Sequence, residues 1–416
     1  MVTLQNYADA GSQVVNVKAY GAVGDCVADD RPAVTAAYNA VRSGGTVYFP
    51  SGCYLMSSGL TMRKPVILRG VAGQSSIIRY TGSSGALLTF QWGTNPNAGV
   101  GAGVRDLTLL GPGHSSSTEG LHIGGSSASV GAVGTMIENV QFSQKQDKNT
   151  GFGTCIMTDS SGWGWATTIL NSNLAYCDTG VSLTGEKNSI FGGILGSNVN
   201  GVVVASNSDA TLTNVSLDSD SGAYVVVGRN GVATLTGCHL ETNPVSLTAA
   251  GFIENGGRLT ITGGQFLNDN TTGGPFPLIT SIAGSTFVYV FGTDVYTAGQ
   301  SFSALVTGPS RGGVSGVLAF RSVSDVYNAF DGTNPGRLLI FPSGTASHAT
   351  WPMTMYGVGL EPSSLTVGSL PRASTSTGQV FTVTDSTAVT TEGQPCAGGS
   401  SNKALAFSNG TNWKCF

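Results

Sequence analysis

The chain has 416 residues, of which 10% are charged and 61 are glycine, and its formal net charge is −4. No basic stripe is present to track nucleic-acid phosphates, and no apolar run reaches the roughly 18 residues that a membrane span needs. Glycine at about twice its usual share, without a Gly-X-Y period, excludes collagen and asks instead for many tight turns.

Residues 1–12 are polar, and Val14, Val15 and Val17 read as a first strand. Asp30 is a favoured N-cap and Pro32 suits a first helical turn, so a helix is expected over about Arg31 to Val41. Val34, Ala37, Tyr38 and Val41 share one face of it, and Gly44-Gly45 stops it. Thr46–Pro50 and Cys53–Met56 follow as strands around a Ser51-Gly52 turn. Pro65–Tyr80, Ala86–Phe90, Val104–Leu110 and Met136–Phe142 read as further short strands between glycine-rich loops. Those loops carry Trp92, then His114, Glu119 and His122, then Trp163 and Trp165 on the turn SSGWGW.

From about Thr167 to Asp269 the sequence repeats itself. Each unit has a short Val-, Leu-, Ile- and Thr-rich run, a polar turn, a second short run and another turn. Aligning the central apolar residue gives Leu174, Leu195, Leu217, Leu240 and Phe266, at steps of 21, 22, 23 and 26 residues. Such a period signals a one-dimensional stack, and coils of this length holding two or three strands are rungs of a parallel β-helix. A helix placed before such a stack would cover its open end. The pattern loosens after Gly284, where Phe287–Phe291 and Val317–Arg321 read as last rungs. Residues 330–416 are rich in Pro, Ser, Thr and Gly, with strands at Arg337–Phe341 and Gln379–Val383 and a terminal hairpin of Ala404–Phe407 and Trp413–Cys415. The divisions expected are 1–60 for the cap and first strands, 61–325 for the β-helix and 326–416 for a tail. That tail either covers the end of the stack or makes the contacts of a homotrimer.

Seven cysteines occur without a CxxC pair or Cys/His cluster, which gives no reason to expect zinc. Cys26 with Cys53, and Cys396 with Cys415, read as two disulfides of an oxidising, extracellular compartment. Cys238 lies two residues before Leu240 and reads as a packed thiol, whereas Cys155 and Cys177 are left open. The start MVTLQNYADA lacks a basic start and an apolar core, so Met1 is read as replacing a removed leader.

The string Val17-Lys18-Ala19-Tyr20-Gly21-Ala22-x-Gly24-Asp25, then Asp29-Asp30, then Gly44-Gly45-x-Val47-x-Phe49-Pro50-x-Gly52-x-Tyr54 resembles the N-terminal signature of the pectate-lyase-like superfamily. The resemblance implies a right-handed parallel β-helix and action on polysaccharide; with the capping helix and the irregular β-rich C-terminal tail read above, the expected fold class is all-β. Cys26 and Cys53 stand where the usual pattern has a glycine and a threonine-like residue, which supports their pairing. The Asn-Thr-Asp, Gly-His-Gly and Arg-Ile-Lys motifs of polygalacturonases are absent, as is the Arg-x-Pro-x-x-Arg element of pectate lyases.

Chemistry should lie on the outer face, since side chains alternate along a strand. With Leu217 and Leu240 inside, Asp218 and Glu241 fall outside as vertical neighbours, about 4.8 Å apart at the backbone. His239 shares that face, Asp220 is expected to, and Ala175 and Gly196 leave space in the same column. Paired carboxylates in one groove suit glycoside hydrolysis, with Glu241 as acid and Asp218 or Asp220 as base or nucleophile. An inert polar ladder, or calcium held by the three carboxylates, fits the same pattern. Trp163 and Trp165 are candidate sugar platforms or turn-packing rings, and Glu119 with His114 and His122 is a second candidate site or a set of loop hydrogen bonds. Arg229, Arg258 and Lys187 are candidate contacts for acidic sugars or solvated surface cations. The expected protein is a secreted glycoside hydrolase needing no cofactor; a uronic-acid lyase or a carbohydrate-binding fibre of tailspike type are the rivals.

Overall fold

The computed structural model describes residues 13–314 and 364–416, apart from 72–73, 93–99, 115–116, 126–129, 144–146, 160–163, 219, 243–250, 269–276, 283–285, 298–305, 308–309 and 388–393. Three long parallel sheets run through the first of two compact units, Met1–Ala346. Sheet A has twelve strands, from Val14–Asn16 to Ser310–Val314; sheet B has eleven, from Asp25–Asp29 to Asp294–Thr297; sheet C has ten, from Leu60–Met62 to Val306–Thr307. The chain visits A, B and C in turn and then returns to A one rung further on, which is a parallel β-helix.

The inferred register is the one present. Leu174 pairs with Leu195, Leu195 with Leu217, Leu217 with Leu240 and Leu240 with Phe266. All five side chains are buried in one continuous apolar core that runs from Val15 to Val290. Between sheets A and B the corner is two residues long in every rung from Arg105/Thr108 to Phe291/Asp294. Its first residue is left-handed, as at Asn139, Asn171 and Asn214, with φ of 54°, 46° and 53°. Gly192, Gly237 and Gly263 fill the same place in other rungs. Asn and Gly tolerate this conformation at least cost. The corner amide then bonds the next rung, as where Asn171 N–H donates to Phe191 O at 2.9 Å.

The N-terminal helix spans Arg31–Ala40, and its buried face of Ala33, Val34, Ala37 and Tyr38 belongs to the same core. Asp30 does occupy the N-cap position, but its carboxylate does not cap the helix. It accepts the Val23 and Gly24 amides at 2.6 and 3.1 Å and so ties down the preceding loop. The strand Asp25–Asp29, which carries no strand-like alternation of apolar residues, pairs irregularly with Gly52–Met56.

Disulfides join Cys26 to Cys53, Cys155 to Cys177 and Cys396 to Cys415, leaving Cys238 as the free, buried thiol. The Cys155–Cys177 bond links a strand of one rung to the corner of the next. The second unit, Ser347–Phe416, carries an antiparallel pairing of Val380–Ser386 with Asn402–Ser408, and of the latter with Trp413–Cys415. It has its own small core of Val383, Ala404, Ala406 and Cys415. The strands expected at Val317–Arg321 and Arg337–Phe341 lie outside the described residues.

Peptide mapping without reduction should recover three disulfide-linked pairs and one thiol, at Cys238. Replacing Cys155 and Cys177 together by Ala should lower stability to urea by about 3 kcal/mol on the loop-entropy estimate; an unchanged midpoint would show that the bond adds nothing to the rungs it joins.

Candidate active site

Sheet B presents its outward side chains in two rows. One row reads Ala175, Gly196, Asp218, Glu241 and Leu267, paired rung to rung. The other reads Asn173, Ile194, Ser216, His239 and Gln265. Asp218 and Glu241 are therefore direct neighbours on Ser216–Asp218 and His239–Thr242, and His239 flanks both. One donor atom from each of Asp218, His239 and Glu241 lies within 4.8 Å of the others. His239 Nε2 contacts Glu241 Oε2 at 3.0 Å, and Ser216 Oγ donates to Asp218 Oδ1 at 2.8 Å. Below the strand, the buried Tyr224 donates its hydroxyl to the Glu241 carbonyl at 2.8 Å and so anchors the backbone at the site.

Glycine at 196 keeps the rung below Asp218 open, since a Cβ there would sit 2.6 Å from the Asp218 carbonyl oxygen. Asp218 is half-buried, and that burial pushes its carboxyl above the usual carboxylate range. The Ser216 hydroxyl and His239 oppose the rise, and the Glu241 charge adds to it. The side chains of Glu241 and His239 remain 28% and 32% exposed, open to a ligand. Two carboxylates and one imidazole nitrogen suit a transition metal better than calcium, which prefers a larger all-oxygen shell.

Asp220 does not join this group. The strand ends at Asp218, so the two-residue alternation that would carry Asp220 outward stops there. Its side chain turns into the corner and is 1% exposed. Asn198 N–H donates to Oδ1 at 2.9 Å, and Oδ2 lies against Gly201 with no partner among the described residues. Burial drives this carboxyl well above its ordinary range and so favours its neutral form. It continues a ladder in which Asn198 accepts the Cys177 amide at 2.9 Å and donates to Leu174 O at 3.0 Å.

Glu119 and His122 lie elsewhere, on the outward face of sheet C. His122 Nδ1 contacts Glu119 Oε2 at 2.6 Å, and its Nε2 lies 3.7 Å from Asp159. The Glu119 hydrogen bond raises the His122 pKa, burial opposes this, and the charges of Glu119 and Asp159 add to the rise. His114 pairs separately with Asp178 at 2.9 Å. Trp165 is half-buried with its indole edge on the next rung, where a Cβ on Gly185 would fall 2.0 Å from its Cδ1. It is a packing ring there rather than an open platform. Trp163 lies outside the described residues. Arg229 is exposed on the turn between sheets C and A, remote from the sheet B rows in the winding order. Lys187 holds a left-handed turn, its amide donating to Asp209 at 2.6 Å, and Arg258 stacks its guanidinium 5.5 Å from the Phe287 ring.

A family model for rhamnogalacturonase A/epimerase, pectate lyase-like proteins matches residues 14–227, just over half of the chain. Over 106 residues, 23% of this chain and 12% of that protein, the sequence is 40% identical to mannuronan C5-epimerase AlgE6 of Azotobacter vinelandii. Over 51 residues, 12% of each, it is 43% identical to rhamnogalacturonase A of Aspergillus aculeatus. The preneck appendage protein of Bacillus phage PZA is 33% identical over 85 residues, 20% of this chain and 10% of that one. The chain therefore spans only 10–12% of the length of these relatives. Among solved structures, the enzymatically active domain of bacteriophage CBA120 tailspike protein 2 aligns with a TM-score of 0.54 at 11% identity, over 74% of this chain and 47% of that one, a likeness of fold.

Asp220 carries a sign-definite expectation. Its pKa is raised by folding, so the stability its neutral form contributes is complete below the ordinary carboxylate range and is lost as pH rises toward the raised value. Asp220→Asn keeps the shape and removes the titration. Urea unfolding at about pH 5 and pH 8 should show the variant gaining stability relative to the parent at the higher pH; equal differences at both would mean that Asp220 does not titrate on unfolding.

Proposed function

The chain belongs to the rhamnogalacturonase A/epimerase, pectate lyase-like family, and from that premise we propose that it acts on a polysaccharide, hydrolysing glycosidic bonds at Asp218 and Glu241. The observation that carries this reading is the in-register pairing of the two carboxylates across adjacent rungs, with His239 on one of them. Two relatives matched over short stretches, a rhamnogalacturonase and a mannuronan C5-epimerase, agree with a glycan as substrate.

The roles follow from the surroundings of each group. Asp218 is the carboxyl raised by burial, so it is the proton donor to the leaving oxygen. This reverses the assignment of Glu241 as acid that alternation alone suggests. Glu241, whose Oε2 lies 3.0 Å from His239 Nε2, is the carboxylate that faces the anomeric carbon. Carboxyl groups about 5 Å apart leave no room for a water between them and favour a glycosyl-enzyme intermediate, with retention of configuration. Asp218, having lost its proton, then activates the water that releases Glu241. Three disulfides favour an oxidising, extracellular setting for this work.

A panel of acidic and neutral glycans, followed by reducing-end release and ultraviolet absorbance, tests the reading. Cleavage with new reducing ends and no absorbance is expected. Unsaturated product would replace hydrolysis with proton abstraction by His239, and binding without cleavage would leave a carbohydrate-binding fibre. Glu241→Gln and Asp218→Asn should each lower turnover by about two or more orders of magnitude with folding intact. Activity should fall as pH rises through the raised Asp218 pKa, where the acid is lost. A chelator should leave turnover unchanged; inhibition reversed by added metal would instead make Asp218, His239 and Glu241 metal ligands.

A further inference from the structure

Beside the N-terminal helix lies a hollow of about 570 Å³ walled by Arg31, Thr35 and Tyr38 on one side and by Thr61, Arg63 and Lys64 on the other. Three cations meet here in a chain that has only 19 Lys and Arg and a net charge of −4. No carboxylate lines the hollow, and none pairs with these three side chains among the described residues. The two acids that precede Arg31 lie outside the hollow: Asp30 accepts the Val23 and Gly24 amides, and Asp29 accepts the Ser57 hydroxyl at 2.6 Å and the Arg31 amide at 3.2 Å.

Two of the three cations, Arg31 and Lys64, are held in place. Arg31 Nε donates to Gly59 O at 3.1 Å and its Nη1 to the Thr35 hydroxyl. Lys64 Nζ donates to the carbonyls of Asn39 and Val41 and sits 5.0 Å from the Tyr38 ring centroid. The Tyr38 hydroxyl, in turn, accepts the amides of Arg63 and Lys64 at 2.7 and 3.0 Å. Burial lowers the Lys64 pKa, the mark of an ammonium that has given up water without gaining a counter-charge. A fixed, partly dehydrated ammonium of this kind binds anions with charge-assisted hydrogen bonds, and the exposed Arg63 guanidinium beside it is open to the same ligand.

We propose that this hollow is a binding site for the anionic substituent, carboxylate or sulfate, of an acidic sugar residue, separate from the carboxylate pair on sheet B. Its position suits a polymer. Thr61 on its wall pairs with Thr89, and Thr89 with His122, so the hollow opens onto the outward column of sheet C. His122 stands two rungs on, about 10 Å along the stack. A chain anchored in the hollow by one anionic group would run along that column.

Calorimetric titration of the whole chain with oligogalacturonate, a sulfated oligosaccharide and a neutral cello-oligosaccharide tests this. At least one acidic ligand should bind, with affinity falling as salt rises, and the neutral ligand should bind at least tenfold more weakly. The tighter of the two acidic ligands identifies the source of the charge. Arg63 is exposed, so Arg63→Ala should fold normally and weaken acidic binding about tenfold, and Arg63→Glu should abolish it. Lys64→Gln should weaken it likewise. Equal binding of neutral and acidic ligands, no binding of either acid, or affinities untouched by Arg63→Glu would each overturn the assignment. Because binding is read without turnover, the outcome is independent of whether Asp218 and Glu241 cleave anything.

Discussion

Everything in this molecule rests on the in-register stacking of one rung on the next. A parallel strand shifted by one residue would exchange its inner and outer faces, burying Asp218 and Glu241 and exposing Leu217 and Leu240. The core is thus more than a source of stability. Because Leu217 and Leu240 must stack inside, their followers must stack outside, and two like charges are forced together at the spacing of a β-sheet. No loop has to close to bring them there. The repulsion this creates is met by His239, by the Ser216 hydroxyl and by a raised Asp218 pKa.

The stack was legible because its signal is periodic. Five apolar residues at steps of 21–26 fixed the column, and the outer column followed by alternation. What the sequence did not disclose is where alternation ends. Asp220 looks equivalent to Asp218 two residues earlier, yet the strand stops between them and the side chain turns inward. Asp30 has the identity and position of a helix cap, but its carboxylate serves an earlier loop, a choice set by tertiary contacts. The Cys155–Cys177 bond had a signal, a separation of 22 that equals one rung, though the two residues occupy different places in their rungs. Trp165 on a glycine turn reads as exposed until the next rung's Gly185 is seen to receive it.

Two sheets carry polar clusters of different character. On sheet B, carboxylates face each other with one imidazole at the side; on sheet C, one imidazole lies between Glu119 and Asp159, which favours its protonated form. In the first arrangement burial raises one carboxyl, that of Asp218, and in the second opposite charges gather around one imidazole. The two clusters thus differ in charge balance more than in residue type.

The two-residue corner between sheets A and B has a consequence for how such a chain changes over time. At the other corners spacing varies freely: ten residues separate Thr242 from Ile253, and twelve separate Ile123 from Met136. From Arg105 onward the spacing at the A–B corner stays at two residues, where a left-handed residue bonds the end of the sheet A strand in the next rung. Over those rungs one edge of the prism acts as a fixed spine that keeps the angular phase of successive turns, while the differences in rung length fall along the other two. Lineages can remodel their specificity by lengthening those edges without losing the alignment of the core, and the neighbourhood of each polar cluster can diverge without disturbing the other.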